Sequence, residues 1–508
     1  MSETQCTEQL QLFEVGRQQV TLTFDGGQVV SDAGLLPIRE LDKQLGILAE
    51  AARRLPDPRT EKAVTHTTEE ILTQQVYQIL AGYPDGNDAQ LLRNDPLFKT
   101  IVGKDPRRED ESLASGSTIN RFQYAFTRRE AEKPVEERDV IFEVRRAQVE
   151  RINAINDFMI DLFVRTRKKQ PAHIIIDLDP TADPTHGQQQ LTMFNGFYDQ
   201  HQYLPMMLFE GTTGFPLGAW LRHGTAHAGL GAVEMIQRIV ERVRQHWPDI
   251  MIFVRGDAGV AGPEMYEYCE SQGILYAFGY GMNPALKHRV SELELEDNAR
   301  LLWWMSGRKA FQMFHTFDDY QARSWSRARK IVTKVEITQF GSTNVRFVVT
   351  NMSGLAGGIY QGFYVQRGNV PERPIGELKN GLHMDRLSSH RFLANSHKLM
   401  THLLAYALYV LFREANAATP EVNKMEVSTA RTRLFKVGAL VQATHRHIWF
   451  RVASHWPGAT LLTRAVKAVN SYVTATLQRW QSQNLFADIS GTDACDRSWI
   501  SFAPLPLK

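Results

Sequence analysis

Five carboxylates stand where chemistry on a phosphodiester would need them. Asp177 and Asp179 end the run His173-Ile174-Ile175-Ile176, and Asp257 follows Met251-Ile252-Phe253-Val254 by way of Arg255-Gly256. Glu372 and Glu377 lie in a helix-prone stretch further on. Phosphoryl transfer from a nucleic-acid backbone needs an activated hydroxyl and a neutralised leaving oxygen. Two divalent ions about 3.5–4 Å apart, held by three or four carboxylates, meet both needs. Magnesium prefers hard oxygen donors and keeps part of its water, so scattered Asp and Glu suffice once the fold gathers them; manganese is a workable substitute. Any one acid beyond a strand also serves as a turn or cap residue. The case rests on the set and its order.

The elements that must position these acids follow from periodicity. His173–Leu178 is a β-branched run of the kind a buried strand shows, and Tyr203–Phe209 and Phe215–Leu221 predict two more strands joined by a Gly-Thr-Thr-Gly turn. Gly231–Trp247 carries Val233, Ile236, Ile239, Val240 and Val243 at helical spacing; a strand at Met251–Val254, a helix at Pro263–Ser271 and a strand near Leu275–Phe278 follow. Three strands, a helix, a strand, a helix and a strand is the element order of an RNase H-like α/β core. If the strands ending at Asp179 and Asp257 are adjacent and parallel, both acids emerge at the carboxyl edge, where open α/β sheets place ligands.

Around this core the texture changes. Residues up to about 170 read as mostly helical after a strand-like Val20–Phe24. Glu69–Leu80 predicts a helix that stops at Gly82-Tyr83-Pro84, and a further helix follows Ser115-Gly116-Ser117 with Ser117 or Thr118 as cap and Ile119, Phe122 and Phe126 on one face. A long amphipathic helix is expected over Val135–Arg167. Leu301–Met352 is rich in aromatic and β-branched residues and predicts a mostly antiparallel insertion. Pro371–Asn380 and Ser388–Arg413 are then helical, and the remainder to about Gln483 is expected to be helical and basic. The expected organisation is a helical region over 1–170, the first part of the core over 171–288, the β-rich insertion over 289–355, the second part of the core over 356–415 and a basic helical region over 416–508. The core itself is expected as a mixed five-stranded sheet with helices.

Bulk properties narrow the class. A chain of 508 residues should hold two to four domains. Its net charge of +2 says little, but the distribution says more. Val427–Phe486 holds no Asp or Glu, while Arg431, Arg433, Lys436, Arg446, Arg451, Arg464, Lys467 and Arg479 fall there; Arg323, Arg327, Arg329 and Lys330 form a second group around Trp325. Such stretches are footprints for phosphates or solvated helix faces. Cys6, Cys269 and Cys495 are scattered, which fits a reduced, cytoplasmic setting. The start of the chain lacks a secretory pattern, and Leu403–Phe412 falls short of the roughly 20 residues a membrane span needs. No membrane partner is expected. With no Walker-type loop in the sequence, no nucleotide cofactor is expected either.

Tyr364-Val365-Gln366-Arg367, leading through Glu372 to Lys379, resembles the Tyr-Arg-Glu-Lys signature of DDE insertion-sequence transposases whose RNase H-like core carries a β-rich insertion. Asp179-Pro180-Thr181 is similar to that family's first-Asp motif, and Arg255-Gly256-Asp257-Ala258-Gly259 to its second. Gly82-Tyr83-Pro84-Asp85, Leu92–Leu97 and Leu387–Asn395 extend the resemblance over most of the chain. It implies Asp179, Asp257 and Glu372 as catalytic, metal-binding residues, with Tyr364, Arg367 and Lys379 on the phosphates of the DNA end. Asp177 is then a neighbouring acid and Glu377 the alternative third one. Trp325 is implied as a residue that stacks on a DNA base, with Trp303 and Trp304 equally eligible. One departure stands out: four residues separate Arg367 from Glu372 where the family has three, an extra residue that Pro371 could accommodate at a helix start. The implied activity is magnesium-dependent cleavage of transposon ends and joining of their 3′-hydroxyls to double-stranded target DNA, by a homodimer that holds two inverted repeats in a bacterial, nucleoid-associated setting. The alternatives are a DNA-binding regulator that no longer cuts, and a nuclease of the same fold without a joining step.

Overall fold

The computed structural model describes residues 9–55, 57, 59, 64–131, 153–370 and 372–482. Its centre is a mixed sheet of eight strands: β1 (His173–Pro180), β2 (Met206–Glu210), β3 (Pro216–Trp220), β4 (Met251–Gly256), β5 (Leu275–Tyr280), β6 (Phe311–Tyr320), β7 (Arg329–Ile337) and β8 (Thr343–Thr350). They lie in the order β6-β7-β8-β5-β4-β1-β2-β3. Strands β1, β4 and β5 are parallel, while β2 pairs antiparallel with β1 and β3 antiparallel with β2. The parallel strands are apolar along most of their length, as burial on both faces demands; Ile174, Ile176, Ile252, Val254, Tyr276 and Phe278 are all buried. Helices Ala232–His246 and Pro263–Ser271 supply the crossovers β3–β4 and β4–β5.

The sheet has eight strands because the three strands after residue 310 continue its edge and do not stand apart. β8 pairs antiparallel with β5 (Ala277 opposite Thr350, Tyr280 opposite Phe347), and β7 and β6 continue outward. The first part of the segment expected as β-rich is helical: Pro284–Glu292 and Leu295–Met305. Asn283 accepts from the Leu286 amide at 3.0 Å and Pro284 opens the first turn, so the local chemistry is that of a helix start.

The remaining elements wrap this sheet. Helix Thr68–Ala81 carries a reciprocal cap between Thr67 and Glu70 and ends at Gly82 in the left-handed region (φ 93°). Helix Gly116–Ala131 is capped by Ser115, which accepts from the Thr118 amide at 3.2 Å, not by Ser117 or Thr118 as expected. Of the helix expected over 135–167, residues 153–166 are helical and the rest up to 152 lies outside the described residues, as do Cys6, Pro371, Cys495 and the side chain of Phe126. Phe392–Ala415 is a buried helix enclosed by Thr68–Ala81, Gly116–Ala131, Ala459–Ser482 and β3. No helix among the described residues is long and apolar enough to cross a membrane.

The C-terminal region corrects the all-helical expectation. Ala439–Ala443 and Ile448–Val452 form a hairpin, and Ala439 and Leu440 also pair with Val30 and Val29. Alternation explains it: Ala439 and Val441 turn inward while Gln442 and Arg451 stay exposed. The hairpin therefore ties the end of the chain to its beginning.

Candidate active site

Register alone brings two acids together. Arg255 lies opposite Asp177 and Gly256 opposite Leu178 across the parallel β4–β1 pair, so the next step along both strands sets Asp257 beside Asp179. Neighbouring strands run about 4.8 Å apart, within reach of a shared cation. Asp257 is steadied by its own loop, its carboxylate accepting from the amides of Gly259 (2.9 Å) and Val260 (3.2 Å).

The third contribution arrives from residues 358–381, which wind irregularly: π-helical over Gly358–Tyr364, 3₁₀ over Val365–Asn369, α-helical over Glu372–Gly376 and π-helical again over Glu377–Gly381. Such changes of pitch re-aim side chains and recur at functional sites. The extra residue between Arg367 and Glu372 falls where Val370 turns extended and breaks the helix. Arg367 reaches Asp179 at 3.4 Å and lies over the Tyr364 ring. Tyr364 packs on the second motif so closely that a Cβ on Gly279 would lie 2.7 Å from its hydroxyl and 2.9 Å from the Ala258 amide nitrogen. Lys379 donates to the carbonyl of Ala182, two residues beyond Pro180.

The electrostatics report the same convergence. Burial pushes the Asp179 carboxyl up to about 6; Arg367 opposes the rise, and the charges of Asp257 and Glu372 add to it. Tyr364 is raised by burial, with Asp257 adding and Arg367 opposing. Lys379 is lowered by burial against the pull of Asp183, Asp385 and Asp179. Asp179, Asp257, Glu372, Tyr364, Arg367 and Lys379 thus share one region at the carboxyl edge of the parallel strands. Among the described residues, no three His, Cys, Asp or Glu are gathered tightly enough to form a ready-made metal cage.

The two competing acids are engaged elsewhere. Asp177 is fully buried in a bidentate pair with Arg255 (2.6 Å to each nitrogen), and Arg255 also donates to the Phe363 carbonyl. Glu377 is held by Arg373 and Arg413, both at 3.0 Å. Asp177 and Asp179 do share a strand face, but the partner strand places an arginine against the first only.

Trp325 stands apart from these residues. It is 5% exposed, boxed edge-on by Tyr266, Tyr280 and Tyr320, with the Arg329 guanidinium over its ring. In this arrangement its ring packs against side chains of the chain itself, and little of it is open to solvent. Of the two alternatives, Trp304 is 64% exposed and Trp303 is half-buried. The basic group around Trp325 is largely spent on structure, since Arg327 and Arg329 both bind Glu270 and Lys330 faces Asp318. In the C-terminal group, Arg431 donates to the carbonyls of Leu80, Ile79 and Gly381, and Lys436 pairs with Asp32 at 2.7 Å, whereas Arg433, Arg446, Arg451, Arg464 and Lys467 are exposed.

Four residues near the site escaped the sequence reading. Arg255 and Gly279 carry the packing just described. Asp183 is buried with neither carboxylate oxygen hydrogen-bonded, and burial pushes it up to about 8 against the pull of Lys379. Tyr198, on an exposed turn, is raised by burial and by the charges of Asp257 and Asp179. Asp183, four residues past Asp179, was legible as a further acid near the first motif; Tyr198 carried no signal.

Comparison with known proteins adds the family. The description "Transposase DDE domain group 1" matches residues 13–474. Among curated proteins none matches the chain. The solved structures similar to it include the piggyBac transposase synaptic complex with hairpin DNA, at 11% identity and a TM-score of 0.40, over 91% of this chain and 85% of that one. That likeness is too distant to carry an argument about detail.

Proposed function

Since the chain belongs to the DDE transposases of domain group 1, we propose that it cuts the ends of an insertion sequence and joins them to target DNA through Asp179, Asp257 and Glu372. The observation that carries this is the register of β1 against β4, which sets the first two acids side by side, together with the influence of Glu372 on Asp179. We read β3-β2-β1-β4-β5 as an RNase H-like core, since its order and directions are those the element sequence implies, with β6 to β8 as the insertion continuing its edge.

The donor set fits a hard divalent cation. It offers carboxylate oxygens and no thiol or imidazole, and Asp179 is desolvated and crowded by like charges that a cation would relieve. Asp179, Asp257 and Glu372 would hold magnesium, or manganese in its place, which when bound activates an attacking hydroxyl and neutralises the leaving oxygen. Glu372 is exposed on a short helix next to a break, so it is the acid free to close on the other two. Arg367 and Lys379 would turn from Asp179 and the Ala182 carbonyl to the phosphates of the DNA end, and the Tyr364 hydroxyl would donate to the same backbone. In the first step a water oxygen bonds to phosphorus at the transposon end and the bond to the 3′-oxygen breaks, leaving a 3′-hydroxyl. In the second, that hydroxyl attacks a target phosphodiester and displaces the target's own 3′-oxygen. Two ends must be held together, so a homodimer on paired inverted repeats is part of the proposal. The exposed Arg433, Arg446, Arg451, Arg464 and Lys467 are its candidate phosphate contacts outside the core.

The test uses supercoiled donor DNA carrying the inverted repeats that flank the coding region. Asp257→Asn and Glu372→Gln should each abolish cleavage while leaving end binding within about threefold of wild type, because neither removes a contact to DNA that persists without the cation. Normal cutting by either variant would remove that residue from the site. Binding without cutting by the wild type with magnesium present would favour a regulator, and cutting without dependence on the repeats a plain nuclease.

A further inference from the structure

Four residues past Asp179 the chain buries a carboxylate without a partner. Asp183 is 1% exposed, and neither of its carboxylate oxygens has a hydrogen-bond partner. The backbone fixes its place. In the short strand Asp183–Pro184 it lies opposite Tyr203 of the strand Gln200–Tyr203. On either side of it the Thr181 and Thr185 amides donate to the carbonyls of Pro205 and His201, each at 3.0 Å, so the strand cannot easily swing the carboxylate out to water. Side chains directly opposite on such a pair are neighbours on one face. The Tyr203 hydroxyl is nevertheless spent, because its one proton goes to the Gln190 carbonyl at 2.7 Å. A buried acid left unpaired is costly and rare, and where one persists another group commonly completes it in function.

The group that can complete it stands one peptide away. Lys379, on the turn Glu377–Gly381, donates from Nζ to the carbonyl of Ala182, the residue bonded to Asp183. Charge agrees with this geometry: Lys379 pulls on the Asp183 carboxyl, while burial and the charge of Asp385 push it up. An ammonium carries three protons, enough for a carboxylate and a phosphate at once. A lysine head rides on a flexible four-carbon stem, and a neutral carbonyl is a weak hold on it. A carboxylate locked in a strand gives it a fixed point, with a charge-assisted hydrogen bond to match.

We propose that Asp183 is a positioning residue for Lys379: with a DNA end bound, its carboxylate accepts a hydrogen bond from Nζ and aims the ammonium at a backbone phosphate. This rests on the transposase reading and adds a residue outside the three acids and the Tyr-Arg-Glu-Lys signature. Released from the Ala182 carbonyl, Nζ bridges Asp183 and the phosphate, and the buried carboxylate is no longer alone.

A double-mutant cycle on supercoiled donor DNA and end duplexes tests it. Asp183→Asn should lower magnesium-dependent cleavage by about tenfold, the loss expected for one charge-assisted hydrogen bond. In a Lys379→Met background the same substitution should change cleavage by less than about twofold, because no ammonium remains to be aimed. Duplexes with single phosphates replaced by neutral methylphosphonates add a readout that a merely structural role would not move. The wild type should lose binding when one particular phosphate is neutralised, and both single variants should be insensitive at that position. Asp183→Asn and a second variant, Asp183→Ser, should both remain folded by circular dichroism. Equal losses in both backgrounds, no loss in either, normal cutting by Lys379→Met, or failure of both Asp183 variants to fold would overturn the proposal. If the wild type cuts its ends and Lys379→Met impairs cutting but the cycle is additive, the role of Asp183 fails alone. If the wild type neither binds nor cuts them, the transposase reading fails and this one with it.

Discussion

Asp179 is held in a condition that costs the fold stability. Its carboxyl is raised to about 6 by burial, with Asp257 and Glu372 adding and Arg367 only partly offsetting them. A folded-state value above the ordinary 3.8 means the folded protein binds this proton more tightly than the unfolded chain does. The penalty is therefore fully present above about pH 6 and disappears as the pH falls toward 4. Two units correspond to about 3 kcal/mol at most, and less once water access is allowed for. Asp179→Asn should consequently abolish cleavage yet raise the melting temperature of chelator-treated protein by about 1–3 °C at pH 7.5. The gain should shrink at pH 5, where the wild-type carboxyl is itself protonated. Thermal scans at the two pH values check both statements, and a variant less stable than wild type at pH 7.5 would contradict them.

At the scale of elements, the segment around β6 and β7 shows how a patch legible as basic turned out to be structural. Glu270, on helix Pro263–Ser271, takes Arg327 at 2.5 Å, Arg329 at 2.8 Å and the Tyr276 hydroxyl at 2.9 Å, and Arg329 in turn covers Trp325 and Tyr266. Replacing Glu270 by Leu strands the buried Arg329 and should cost roughly 3–5 kcal/mol, whereas Arg327→Ala, on the exposed side, should cost under about 1 kcal/mol. Urea unfolding measures both, and equal effects would show that the buried pair is not what matters. The charge run 323–330 was visible in the sequence, but its partner about 60 residues away was not. Strands with β-branched runs and helices with a cap and a stop, such as Thr68–Ala81, were readable because their signals are local. The hairpin at Ala439–Val452 was missed because a strong helical tendency on either side masked five-residue alternations whose third strand lies about 400 residues upstream. The acids were legible as candidates and the resemblance favoured Asp179 over Asp177, but Arg255 as the partner of Asp177 was not legible, because only strand register brings the two together.

Across the whole molecule, one buried carboxylate joins helices from distant parts of the chain. Asp161, on the helix spanning 153–166, accepts from Arg54 at 2.6 Å and from Arg242 at 2.5 and 2.6 Å. Arg54 ends helix Ile47–Arg54 and Arg242 lies on helix Ala232–His246, so three elements far apart in the chain meet at this side chain. Burial alone would raise its carboxyl, but hydrogen bonds from His246 and Arg242 and the charges of Arg242 and Arg54 hold it well below the usual range. A depressed folded-state value contributes stability that is complete above about pH 4 and is lost only as the pH falls further. Asp161→Asn should therefore cost about 3 kcal/mol in urea unfolding at pH 7.5 and the same at pH 5. The Asp179→Asn gain has the opposite sign and should change between those two pH values. If both differences moved together, the pH response would belong to the chain's overall charge and not to these two carboxylates, and Asp161 would no longer count as a fastening between these helices.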